Sequence, residues 1–197
     1  MPDPQHPAAI QRVVDAAERK GVHLDIRVFE ASTHTAEEAA ATVGAELGQI
    51  VKSLVFVVDG DSGAPEPVIC LVSGRNRVDV ARLAAVTGAP EVRRATANEV
   101  RELTGFVIGG IPPIGHTRPV RVIMDPDLGR YPVVWAAAGT QTAVFPVGPG
   151  TLRMLSNANV APICEERRVE ERTTDETDAM VDAVGSRGPA LAQDGGA

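Results

Sequence analysis

Apolar positions first recur at helical spacing, with Ile10, Val13, Val14 and Ala17 on one face, which predicts a helix ended by Gly21. The pattern then shortens, and Ile26 to Phe29 reads as a strand. Thr35 with Glu38 three residues on has capping-box spacing, so a second helix is predicted over Ala36 to Leu47, with Gly48 as its breaker. Ile50 to Val58 is almost wholly apolar and β-branched, as a strand buried on both faces would be. An Asp-, Gly- and Pro-rich stretch separates it from the apolar run Pro67 to Val72, and the two are predicted to pair as a hairpin with a long loop.

Beyond a turn at Ser73 to Arg77, helices are predicted over Val78 to Thr87 and Thr96 to Leu103. The second opens on the capping-box pair Thr96 and Glu99, and Gly88 and Gly105 close them. An apolar strand at Phe106 then leads into the loop Gly109-Gly-Ile-Pro-Pro-Ile-Gly-His116, with a strand at Val120 to Met124 on its far side. Val133 to Ala137 and Ala143 to Val147 form a further pair around a turn at Gly139, and Thr151 to Asn157 is a short last helix. No internal repeat is present.

The 197 residues allow one domain with tails or two very small ones. No apolar run approaches the roughly 20 residues of a membrane-spanning helix. Aromatic residues are 3% of the chain, too few for a base-stacking platform. The net charge of -7 disfavours broad, sequence-independent binding to phosphate backbones. The 33 residues from Glu165 onward hold nine acidic and four basic side chains, a balance of -5, so the rest of the chain stands at -2. This predicts a disordered acidic tail over 165–197 and leaves room for a local basic cleft. Met1 to Pro7 reads as a loose N-terminus without the basic and apolar segments of a secretory signal. With two distant cysteines, the chain is expected to be cytoplasmic and reduced.

Lys52 is one of only two lysines against 17 arginines, and it interrupts the apolar strand. A cation there must meet an acidic partner, snorkel to water or point into a cleft that receives an anion; a strand-end lysine near solvent is the plain alternative. The loop Gly109 to His116 can offer backbone N–H groups to a carbonyl oxygen or phosphate, or simply form a bent connection. It has neither the Gly-Lys-Ser/Thr ending of a Walker loop nor a Rossmann fingerprint. His116 could carry a proton or donate a hydrogen bond. His6, His23, His34 and His116 show no paired metal spacing, so no metal is expected. Neither Ser53 nor Ser73 lies in a nucleophile elbow. Cys70, inside an apolar strand, is expected to be a buried packing residue, and Cys164, at the start of the tail, an exposed and oxidisable one.

Thr35-Ala-Glu-Glu, Gln49-Ile-Val-Lys52-Ser-Leu-Val-Phe, Thr104-Gly-Phe-Val-Ile-Gly-Gly-Ile-Pro-Pro-Ile-Gly-His116 and Ala137-Ala-Gly139 occur in an order that resembles the YbaK/EbsC family, free-standing relatives of the editing domain of bacterial prolyl-tRNA synthetase. The resemblance covers residues 8–163. It implies a single α/β (α+β) domain over 8–164, with a mixed, strongly curved central sheet, that hydrolyses the ester of a mischarged tRNA. It further implies that Lys52 orients the ester through the terminal phosphate or ribose, and that Gly109, Gly110 and Gly115 shape the loop that receives the carbonyl. Ser53, Pro113, His116 and Gly139 then border the substrate. Water is the nucleophile, without cofactor or metal, and the partner is the tRNA acceptor end, with a synthetase or elongation factor helping and neither DNA nor membrane involved. The segment Ala138-Gly-Thr-Gln-Thr-Ala-Val144 lacks the Ser and Asp of the best-known YbaK proteins, so the amino acid stays open among small residues. A non-catalytic binding module and a small-molecule esterase are the competing readings.

Overall fold

The computed structural model describes residues 7–30, 35–59 and 65–166. In chain order its elements are α1 (Ala8–Glu18), β1 (Arg27–Val28), α2 (Ala36–Val43), β2 (Val51–Asp59), β3 (Pro65–Ser73), α3 (Val80–Thr87), β4 (Val92–Arg94), α4 (Ala97–Thr104), β5 (Arg121–Met124), β6 (Val134–Ala137), β7 (Ala143–Val147), α5 (Pro149–Ser156) and β8 (Asn159–Val160). The predicted hairpin is the centre of the larger sheet, with β2 and β3 antiparallel from Val51 opposite Ser73 to Asp59 opposite Pro65. Parallel pairing of β3 with β5 and of β5 with β8 completes a mixed sheet in the order β4-β2-β3-β5-β8. Hydrogen bonding divides the single curved sheet of the sequence reading in two. Strands β1, β7 and β6 form a separate three-stranded sheet that meets the larger one where Ile50 bridges Trp135.

The alternation of β2 explains both core layers. Val51 and Val55 point to a core shared with Ile10 and Val13 of α1, Val100 of α4 and Leu152 of α5, whereas Phe56 and Val58 point to a second layer closed by Leu83 of α3. A third, small cluster packs Ala40 of α2 on Ile50 and Trp135. The helix starts follow from side-chain caps: Thr35 accepts from the Glu38 N–H, Asp79 caps α3, and Thr96 with Glu99 forms a reciprocal capping box on α4.

Several expected boundaries shift. Helix α2 stops at Gly44, whose left-handed φ of 67° turns the chain, and residues 47–49 form a separate 3-10 turn. Gly48 is needed for another reason, because a Cβ there would lie 1.8 Å from the Tyr131 hydroxyl. No strand precedes the glycine loop: Phe106 is buried, but Val107 and Ile108 are exposed and unpaired with any ladder. Strand β4 lies in a segment with no predicted element, and α5 begins at Pro149 rather than Thr151. Cys70 is buried as expected, and burial pushes its thiol up to about 12. Cys164 contradicts its expectation: it bridges Val78, is 8% exposed, and burial with neighbouring Asp125 raises its thiol far above the ordinary range.

Residues up to Glu165 belong to one compact unit. His6, His34, the expected loose N-terminus before Pro7 and the expected acidic tail beyond Glu166 all lie outside the described residues. Among the described residues, no helix is long and apolar enough to cross a membrane.

Candidate active site

Strand β4 is too short to cover its neighbour. It pairs only with Phe56 to Val58, and one further bond, from the Ala95 N–H to the Val55 carbonyl (3.0 Å), extends the contact. Since the Val55 carbonyl points away from β3, the backbone groups of Ser53, two residues earlier, point the same way, onto an edge with no strand beside it. A cavity of about 240 Å³ fills the gap. Its walls are Ala36, Ala39 and Val43 of α2, Trp135 and Val144 of the smaller sheet, and Ile108, Gly109 and Ile111 of the glycine loop.

Lys52 lines this cavity, and among the described residues its ammonium makes no ion pair. Nζ donates to the carbonyl oxygens of Gly74 (3.0 Å) and Asn76 (2.5 Å) in the turn after β3. An ammonium has three N–H donors, so one is left without a partner among the described residues. Burial lowers the Lys52 pKa; Cys164 and Glu37 oppose this, while Arg77 and Arg94 add to it. The turn that holds Nζ is itself braced. The Asn76 side chain donates to Asp127 (2.8 Å), and buried Asp125 accepts from the N–H groups of Asp127 and Ile163. The N–H of Asp79 and the carbonyl of Arg77 bond the chain segment that follows β8, which closes the brace.

The cavity brings Lys52, Ser53 and Gly109 together. Ser53 Oγ is buried without a hydrogen-bond partner among the described residues, and Gly109, at φ 89°, turns the loop against the Gln141 side chain. The other expected positions stand outside its walls. A Cβ on Gly110 would lie 2.6 Å from the backbone of Thr140, and one on Gly139 would lie 2.7 Å from the Ala9 carbonyl. A Cβ on Gly115 would lie 3.0 Å from the Arg12 carbonyl oxygen, and Pro113 is buried in the loop. Gly139 borders a second opening with Phe106 and Val107. These glycines let main chains touch. His116 packs edge-on against Phe106, with ring centroids 5.6 Å apart. Burial holds its pKa at about 4, Arg12 lowers it further, and the Pro113 and Thr104 carbonyls offset only part of this. The ring is therefore neutral near pH 7.

Trp135 and Arg94 are among the lining residues that have no counterpart among the expected site residues. Trp135 is the chain's one Trp, a rarity that could have marked it. Arg94 comes from a strand of three residues, too short to show a period. Among the described residues, no group of three His, Cys, Asp or Glu side chains could hold a metal ion.

Residues 30–155 match the aminoacyl-tRNA editing domain. The chain is 32% identical over 143 residues to YwhH of Bacillus subtilis, covering 72% of this chain and 88% of that protein. It is 27% identical over 129 residues to EbsC of Enterococcus faecalis, a candidate Cys-tRNA(Pro)/Cys-tRNA(Cys) deacylase, covering 66% of this chain and 76% of that one. A solved structure described as a candidate trans-editing enzyme for prolyl-tRNA synthetase superposes with a TM-score of 0.75 at 48% identity, covering 82% of this chain and all of the other. With a braced lysine and a cavity at an open strand edge, and with this match over most of the folded residues, the chain belongs to the aminoacyl-tRNA editing domain family.

Proposed function

We propose that the chain is a trans-acting deacylase that hydrolyses the ester between a small amino acid and the terminal ribose of a mischarged tRNA. The observation that carries this reading is the Lys52 ammonium, held by two carbonyls with its third N–H unpartnered among the described residues, on a side chain that lines the cavity. That donor takes a ribose or terminal phosphate oxygen and sets the ester over the open edge of β2. There the Ser53 N–H and the backbone at Gly109 face the carbonyl, where donors stabilise the oxyanion that develops as water adds. Water forms the new C–O bond, the ester C–O bond breaks, and the proton passes to the departing ribose oxygen, with the neighbouring ribose hydroxyl positioning the water. These steps use only the chain, the substrate and water.

The aminoacyl side chain enters a cavity smaller than the roughly 300–1,000 Å³ of ordinary ligand pockets, and its apolar walls suit a small residue. An aminoacyl ester is already activated, so the site needs selectivity more than catalytic power, as second-site editing of near-isosteric amino acids requires. Gly110, Pro113, Gly115 and Gly139 serve this site indirectly by fixing the loop, and His116 by packing. The tRNA body is recognised through a synthetase or elongation factor in the cytoplasm.

The test is release of Ala, Ser, Thr, Cys and Pro from charged tRNAs, with tRNA(Pro) among the acceptors. The intact chain is expected to release one of them quickly, and Lys52→Ala to lose about 10²–10³ of the rate with folding retained, as for loss of one oriented donor. No release across the panel replaces this reading with a binding module.

A further inference from the structure

Arg93 and Arg94 are chain neighbours with opposite fates. Arg93 makes a two-pronged contact with Glu99, at 2.9 and 2.7 Å. Arg94 is exposed, has no carboxylate partner among the described residues, and rests over the Phe56 ring at 5.7 Å on the rim of the cavity. Opposed residues of an antiparallel pair share a sheet face, so Arg94, opposite Phe56, lies on the face that carries Leu54 and Lys52. Phe56 and Lys52 are four residues apart, about 13 Å along a strand that rises ~3.3 Å per residue. Two cations of unlike type therefore flank one opening, with Leu54 between them on that face of the strand. Lys52 is a braced point charge. Arg94 is a planar fork on an aromatic shelf, the geometry suited to a phosphate with two acceptor oxygens.

We infer that Arg94 is a binding residue for a backbone phosphodiester of the tRNA acceptor end, upstream of the terminal nucleotide held at Lys52. The inference rests on the deacylase reading for the direction of the strand, but the phosphate contact stands apart from hydrolysis. On this reading the Arg94 guanidinium contacts a phosphate and not the ester. It acts on affinity and not on the chemical step.

The experiment compares the intact chain with Arg94→Gln, Arg94→Lys and, as a control for loss of one charge, Arg93→Gln. Binding of an uncharged acceptor-stem minihelix is followed by fluorescence anisotropy over a salt series. Hydrolysis is followed for aminoacyl-tRNA and for aminoacyl-adenosine, which has no phosphodiester. Arg94→Gln is expected to weaken minihelix binding about tenfold and to lower the slope of log affinity against log salt by about 0.7–0.9, the value of one phosphate contact. It should raise KM for aminoacyl-tRNA with kcat little changed, by a much larger factor than it changes KM for aminoacyl-adenosine, while Arg94→Lys restores the salt slope. Unchanged binding and slope in Arg94→Gln, equal losses in Arg93→Gln, equal losses on both esters, or a wild-type chain that does not bind the minihelix each overturn the inference. Binding that depends on Arg94 without hydrolysis of either ester overturns the deacylase reading and leaves this one standing.

Discussion

The two halves of strand β2 have the same backbone and opposite surroundings. From Phe56 to Val58 the strand is paired on both edges and apolar on both faces, and the three side chains are 3–5% exposed. From Val51 to Val55 one edge opens onto the cavity, and the run carries Lys52 and Ser53. The length of β4 decides where the change falls, since its three residues end level with Phe56. A free edge is normally a liability for aggregation, and here α2 and the smaller sheet wall it off while leaving room for a ligand. Stability and chemistry thus come from adjoining segments of one strand, and each can be disturbed separately.

The largest effect is expected from Phe56→Ala, a loss of about 3–5 kcal/mol in urea unfolding, with hydrolysis of aminoacyl-adenosine per folded molecule little changed. Lys52→Ala should reverse that outcome, with the rate falling by about 2.7–4 kcal/mol of barrier while stability falls by only ~1 kcal/mol, since the two carbonyls can turn to water. If both variants fail in the same assay, the division of β2 is wrong.

The third effect depends on pH. His116 titrates in the folded chain at about 4, below its ordinary 6.5. Between these values the unfolded chain binds more protons, so stability is full above pH 6.5 and declines as pH falls towards 4, by up to about 3 kcal/mol. Thermal unfolding across that window should show the slope, and His116→Phe should flatten it without introducing or removing an ionisation in the hydrolysis profile near pH 7. The smallest effect is expected from Thr96→Ala, which removes the α4 cap and costs about 1 kcal/mol without altering KM.

Elements defined by local chemistry were legible in the sequence. The capping pair Thr96 and Glu99 and the apolar run of β2 needed only neighbouring residues, and Lys52 stood out because it broke that run. The glycine loop was legible as a loop and not as a surface. Which glycine faces the cavity depends on Thr140, Arg12 and Ala9, partners that no spacing within the loop specifies. Cys164 was misplaced for the same reason, because its burial comes from a bridge to Val78. Arg94 carried no signal at all: one arginine among 17 is ordinary until a short strand sets it over Phe56.

The two carbonyls that hold Lys52 also change what binding demands of the side chain. A lysine free to move gives up roughly 2 kcal/mol of rotamer freedom when a ligand fixes it. Here the turn at Gly74 and Asn76 removes most of that freedom as the chain folds. An arriving ester meets a donor whose direction is already set, and the disorder lost in aligning it has been charged to the fold.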